Sequence, residues 1–358
     1  MSSDDEDEIY RFKDYFEKIR LEDEFIYISV NRDNIIFDTF YRFKDMNIKR
    51  KRVNITYEEE NGCDEGGLFR DWVSTISKEI IDTGAIIPTP DGEYYMINEN
   101  YDDIDIFKLI GQVLGVSFNN RQSSDMKLMS AIWKFIFDEK LDINDMREYD
   151  NDIYNSLKNI KQNDVSDMYL TFVDSNGDEL CYDGSNKDVT NNNKDEYIDL
   201  LIQKKLIGDH DKINAIKEGF ESAVYISDVI YFGWEDIRDF INGQDCVDVD
   251  DWRENCIYSS DDEGEVDFFF DVISDFDDEK LKKLLKFITG TSVVPVEGFK
   301  YFDKLGGKIR IKFTDSSIQS FPISHTCYNQ IELPRYESYL MLKEKLLSAI
   351  EVEDFGFS

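Results

Sequence analysis

Phe321–Tyr339 reads FPISHTCYNQIELPRYESY, and the cysteine at its centre demands a reason. The run SHTCYNQIEL, following KIRIKF, reads as a strand, in which residues two apart share a face. His325, Cys327 and Asn329 would then point one way, and Thr326 and Tyr328 the other. A free thiol has a pKa near about 8.5, so little is thiolate at neutral pH, yet cysteine is the readiest of the common nucleophiles. An imidazole such as His325 can accept its proton or stabilise the thiolate. Pro322 and the glycines before it suggest a strand emerging from a loop, where a sulfur can be reached. Free cysteines are more often buried packing residues, so Cys327 is at this point either a packing residue or a nucleophile. A papain-like arrangement needs a second histidine from elsewhere, for which His210 is the sole candidate.

Composition bounds the rest. At 358 residues, with 41% apolar and 14% aromatic residues, the chain is long and apolar enough to fold, with room for two domains. A formal charge of −36 repels phosphate backbones and anionic lipid, which argues against nucleic acid or a membrane surface as partner and favours basic ones. No signal peptide, spanning apolar run or prenylation box is evident. Five cysteines without dense spacing suit free thiols in a reducing compartment, hence the cytoplasm. Two histidines and no paired Cys/His spacing give no metal site. The stretch DSNGDE (Asp174–Glu179) reads as an Asn-Gly hairpin turn between MYLTFV and ELCY rather than a calcium loop.

Working outward, an acidic leader precedes a helical pattern that starts near Ile9. FIYISV and KRVNITYE read as strands, and Asn34 as the cap of a helix running to Phe43. LFRDWVSTISKEII places Leu68, Trp72, Ile76 and Ile80 at helical spacing. IFKLIGQVLGVSF and MSAIWKFIF read as buried helices. From about Asp142 to Asp239 a helix (Asn151–Lys161), the Asn176-Gly177 hairpin and helices from Lys194 and Asp211 form a smaller subdomain. FINGQDCVDVDDW, centred on Gly243 with few apolar side chains to hold it down, reads as a linker. Helices over Val266–Phe276 and Asp278–Phe287, the two strands and a helix over Tyr336–Ile350 complete the chain.

Pro322, Ser324, His325, Thr326, Cys327, Asn329, Ile331, Leu333, Pro334 and Tyr336 stand in register with the active-site signature of HECT-type ubiquitin ligases, which the stretch strongly resembles. Phe321 and Ile331 stand where that signature has leucines. LLKFITGTSVVPVEGF, NGCDEGGLFRDW, IFKLIGQVLGVSF, DIYNSLKNI and TNNNKDEYIDLLIQKKLIG followed by IKEGF resemble family segments in the family's order. The likeness runs from about Phe25 to Ser358. It departs at FFF (Phe268–Phe270), where the family has a tryptophan-containing pattern, and in a short loop after Gly307.

The resemblance implies an α+β, bilobal fold. Residues 1–24 would be the acidic leader and first helix, 25–242 a large, mostly helical N-lobe, 243–247 a hinge, and 248–358 a smaller α/β C-lobe carrying the cysteine. Residues 141–230 would form the inserted subdomain that binds a ubiquitin-conjugating enzyme, with Ile153, Leu157, Met168, Leu170 and Tyr197 lining an apolar groove. Gly243, Gln244 and Asp245 would form the hinge. Cys327, flanked by His325, Thr326 and Asn329, would accept ubiquitin as a thioester and pass it to a substrate lysine, without cofactor or metal. Phe355, fourth from the C-terminus, would assist that transfer, with Glu353, Asp354 and the terminal carboxylate as acidic helpers. Only the leader precedes the catalytic unit, so substrate choice would lie in the lobes, in an adaptor or in excised modules. Two rival readings are an inactive binding module that sequesters conjugating enzyme or ubiquitin, and a cysteine protease acting on ubiquitin.

Overall fold

The computed structural model describes residues 25–58, 67–244, 246–259, 263–304 and 307–352. The leader, the helical pattern near Ile9 and the NGCDEG stretch lie outside them.

The first described strand, β1 (Phe25–Val30), pairs in parallel with β2 (Arg52–Tyr57), Phe25 opposite Arg52 and Val30 opposite Tyr57. Parallel strands need a crossover, supplied here by α1 (Ile35–Lys44). Period-two burial follows: Ile28 and Val30 on β1, and Val53, Ile55 and Tyr57 on β2, face the core. The expected cap at Asn34 is displaced. Asn31 accepts the Asp33 N–H at 2.9 Å and opens a short 3-10 turn (Arg32–Asn34), and Asn34 itself makes no side-chain capping bond. Next, α2 (Gly67–Asp82) buries Trp72, Ile76 and Ile80, and the Trp72 indole N–H donates to Thr39 Oγ1 on α1 at 3.2 Å.

A short antiparallel pair, β3 (Ile86–Pro88) with β4 (Tyr95–Ile97), leads to α3 (Ile104–Asn119) and α4 (Ser130–Ile136). Then come α5 (Met146–Tyr149), α6 (Asn151–Gln162), α7 (Lys194–Leu206), α8 (His210–Ala223), α9 (Ile226–Val229) and α10 (Gly233–Asn242). Backbones of α3 and α8 touch: a Cβ on Gly111 would fall 1.9 Å from the Ile216 carbonyl oxygen, and one on Gly219 2.1 Å from that of Lys108. The Asn176-Gly177 turn forms, but its flanks make single bridges, Val173 to Glu179 and Thr171 to Asp188, instead of paired strands. The Phe172 N–H turns to the Gly184 and Lys187 carbonyls, and this diverts the ladder a hairpin would need.

The last part holds α11 (Val249–Asn255), β5 (Ile257–Tyr258), α12 (Glu263–Ser274), α13 (Asp278–Thr289), β6 (Arg310–Thr314), β7 (Ile323–His325), β8 (Gln330–Pro334) and α14 (Tyr339–Val352). Its sheet runs β5-β6-β8-β7, parallel except for the antiparallel β7–β8 edge. Trp252 stacks on Phe299 at 5.0 Å, and Phe269, Phe270, Leu284, Ile331, Leu333 and Leu346 fill the core beneath. Part of the acidity is structural: Asp150, Asp209, Asp248 and Asp277 each cap the helix that follows, where a carboxylate satisfies free N–H groups and meets the positive end of the dipole.

Two compact units result. One gathers the described residues within Met1–Glu79, Val113–Asp125 and Asp239–Ser358; the other holds Ile80–Gln112 and Met126–Arg238. Residues 243–247 fall inside the first. Mixed helices and sheets make the chain α+β, and among the described residues no helix is long and apolar enough to cross a membrane.

Candidate active site

The strand expected to run through the cysteine stops short of it. Ile323, Ser324 and His325 pair with Glu332, Ile331 and Gln330, after which Thr326–Tyr328 coils into a 3-10 turn. Asn329 closes the turn in the left-handed region at φ 49°, its N–H donating to the Thr326 carbonyl at 3.2 Å. The alternation that would put His325, Cys327 and Asn329 on one face therefore does not hold. Cys327 occupies the middle of a turn at a hairpin tip.

Asn329 explains the turn. It is fully buried, and each of its polar groups is engaged. Its carbonyl accepts the Arg310 N–H at 2.8 Å, its Nδ2 donates to the Gly307 carbonyl at 2.5 Å, and its Oδ1 accepts from Arg70 Nη1 at 2.7 Å. Arg70 Nη2 donates to the Thr326 carbonyl at 3.1 Å. One planar guanidinium, 2% exposed, thus grips both ends of the turn with two donors in fixed geometry. Gly290, just beyond α13, lies against Thr326 and against Gly67 and Asp71 of α2.

Arg70 was not among the residues the sequence reading selected. Its signal lay in LFRDWVSTIS: position 70 shares a helical stripe with Val73 and Ser77, both buried, so an arginine there is aimed inward and needs acceptors.

His325 is exposed, and its Nε2 lies 3.6 Å from Glu332 Oε1 on β8. Glu332 also takes a 2.7 Å hydrogen bond from Lys312 Nζ. That bond, helped by the charges of Lys312 and His325 and opposed by partial burial, holds the Glu332 carboxyl below its usual range. Among the described residues no group of three or more His, Cys, Asp or Glu side chains is arranged to hold a metal.

The other expected site residues lie apart from this turn in sequence and setting. Leu157 and Tyr197 are core residues, 1% and 7% exposed, with Tyr197 edge-to-face on Phe172. Helix spacing turns both inward. Ile153, Met168 and Leu170 are half-buried and keep a face outward. Gly243 and Gln244 are held more closely than a loose linker. The Gln244 N–H donates to the Val294 carbonyl at 2.8 Å and Nε2 to the Val296 carbonyl at 3.2 Å. Gly243 has φ 66°, and a Cβ there would fall 2.3 Å from the Val294 carbonyl oxygen. The anchor is backbone, which a count of apolar side chains overlooks. Asp245, Glu353, Asp354 and Phe355 lie outside the described residues.

A family model described as HECT-domain (ubiquitin-transferase) matches residues 74–358. The E3 ubiquitin-protein ligase TOM1-like of Neurospora crassa is 31% identical over 92% of this chain, a stretch equal to 9% of that protein. The E3 ubiquitin-protein ligase ptr1 of Schizosaccharomyces pombe is 30% identical over 92% of this chain and 11% of its own. The E3 ubiquitin-protein ligase Nedd-4 of Drosophila melanogaster is 31% identical over 90% of this chain and 34% of its own. The chain therefore spans between 9% and 34% of these three relatives. With the match extending over residues 74–358, the chain belongs to the HECT-domain (ubiquitin-transferase) family.

Proposed function

We propose that the chain is a ubiquitin-protein ligase that works through a thioester on Cys327. The observation that carries this reading is the Thr326–Asn329 turn: the family's threonine-cysteine and asparagine fall on a hairpin tip whose backbone is fixed by Arg70. The Cys327 sulfur would attack the carbonyl carbon of a conjugating-enzyme–ubiquitin thioester. The new C–S bond forms, the old one breaks, and the conjugating enzyme leaves as a thiolate. A substrate lysine, as its neutral amine, would then attack the same carbon; its nitrogen gives up a further proton to a carboxylate or to solvent, the C–S bond breaks, and Cys327 leaves as the thiolate from the new amide. Reacting atoms must approach within about 3–3.5 Å in both steps, for two different partners, which one rigid arrangement does not provide. A bilobal body with its hinge at 243–247 answers that need. Ile153, Met168 and Leu170, in the 141–230 subdomain, are the residues offered to the conjugating enzyme, with Leu157 and Tyr197 supporting them from below. The acidic surface would speed encounter with a basic partner more than it would deepen affinity.

The test is incubation with activating enzyme, conjugating enzyme, ATP and ubiquitin. An adduct cleaved by reductant is expected, absent in Cys327→Ala and converted to a reductant-resistant ester in Cys327→Ser. An adduct persisting unchanged in Cys327→Ala would refute the assignment. Removing Phe355 onward should spare the adduct and slow lysine modification; equal loss of both steps would make the tail structural.

A further inference from the structure

We propose that Arg70 is a positioning residue for the second transfer, a releasable latch on the Cys327 turn; this rests on the thioester reading of Cys327 above. Arg70 reaches the turn from α2, 259 residues before Asn329 in the chain. From that helix it donates to Asn329 Oδ1 at 2.7 Å and to the Thr326 carbonyl at 3.1 Å. Asn329 and Arg70 are 0% and 2% exposed, so any turning of residues 248–358 about Gln244 has to break both bonds and wet both groups. Breaking them costs desolvated, charge-assisted hydrogen bonds, so the latched and unlatched states are discrete rather than continuous.

The chemistry decides which transfer the latched state serves. Thiol-to-thioester exchange replaces one sulfur by another and is close to isoenergetic; it asks mainly for approach. Attack by lysine is more demanding. The amine gives a proton to a carboxylate or to solvent, its nitrogen bonds to the thioester carbon, and the carbonyl oxygen carries negative charge until the C–Sγ bond breaks and the thiolate leaves. A rigid turn with a buried cation at its base is preorganised for such a step, because it need not reorganise as charge develops. Loading then takes place with the latch open, and discharge to lysine with it closed.

The experiment separates the two half-reactions in the full 358-residue chain. Wild type, Arg70→Gln and Arg70→Lys are loaded in a single turnover from a conjugating enzyme charged with labelled ubiquitin, then chased with free lysine. Arg70→Gln is expected to slow discharge about tenfold, the worth of a charged hydrogen bond, and to slow loading far less. Arg70→Lys should fall between, since an ammonium keeps the charge but cannot fork to two acceptors. Equal slowing of both steps, or unchanged discharge, overturns the latch. Thermal melting reports folding; should Arg70→Gln not fold, the discharge-to-loading ratio of Arg70→Lys, together with that of Asn329→Gly, decides by the same criterion. A wild-type chain that forms no reducible adduct overturns the thioester reading itself, a result seen before any variant is compared.

Discussion

Two turns, one in each compact unit, are held by charge drawn from very different distances. At residues 174–178, Asp174 Oδ1 accepts the N–H groups of Asn176 at 2.8 Å and Asp178 at 3.0 Å, and Oδ2 accepts from Lys205 Nζ at 2.7 Å, 31 residues along. At Thr326–Asn329 the charged donor is Arg70, 259 residues before Asn329. The first turn is closed by near neighbours. The second takes its shape from a partner remote in the chain. One turn is built from what lies close in the chain, and the other depends on a side chain brought in from far along it.

The largest test of that contrast is Asp174→Asn. Lys205, with a side chain 12% exposed, would lose the anion that faces it, at a cost of about 3–5 kcal/mol by the usual measure for breaking a buried pair. Lys205→Met should cost a similar amount, and the double variant less than the two together, as a thermal or urea cycle would show. Strictly additive losses would mean that the two do not act as a pair. The pH dependence has a definite sign. Burial pushes the Asp174 carboxyl up, but Lys205 and the N–H groups of Asp178 and Asn176 outweigh it and hold it below the usual range. A carboxyl depressed in the folded state stabilises above its unfolded value of about 3.9 and loses that contribution as pH falls through its folded value. The gap between wild type and Asp174→Asn should be complete at neutral pH and close only in strong acid.

The same contrast explains what the sequence could tell. Asn176-Gly177 announces a turn because the instruction is local. Strands β1, β2, β6 and β8 and the helices of Asn151–Gln162 and Lys194–Leu206 were likewise readable from apolar spacing. SHTCYN read as strand because its residues favour extension, and nothing within the stretch names the guanidinium that bends it. Arg70 becomes visible only once the buried stripe of α2 is drawn. The anchor of Gly243 and Gln244 on the carbonyls of Val294 and Val296 leaves no trace in the count of apolar side chains. Leu157 and Tyr197 fall on their helices at buried positions, and spacing alone does not say whether an apolar stripe meets its own core or a partner.

A middle-sized test acts on the distant turn directly. Asn329→Gly keeps the left-handed backbone but removes an acceptor for Arg70 and a donor for Gly307, at a cost of about 1–3 kcal/mol. Asn329→Ala loses the same bonds and adds about 1 kcal/mol for a Cβ at positive φ. Urea denaturation should rank wild type above Gly and Gly above Ala. If Ala equals Gly, the conformation at 329 is not what asparagine supplies, and the side-chain bonds alone shape the turn.

The smallest effect belongs to the exposed edge of the same hairpin. Lys312 and Glu332 meet at 2.7 Å with side chains 49% and 23% exposed, a setting in which an ion pair is worth at most about 1 kcal/mol. The Lys312 bond leaves the Glu332 carboxyl depressed from its ordinary 4.5, so its contribution is present above that value and fades as pH falls through the lower folded one. Glu332→Gln should therefore cost under about 1 kcal/mol at neutral pH and nothing in strong acid. Ordering follows from burial: a charge that water already solvates gains little from a partner, whereas the bonds within the buried Arg70–Asn329 clamp have no water to replace them. A loss in Glu332→Gln as great as in Asn329→Gly would reverse that order and make the exposed hairpin edge, rather than the reach from α2, the element that holds the cysteine turn in place.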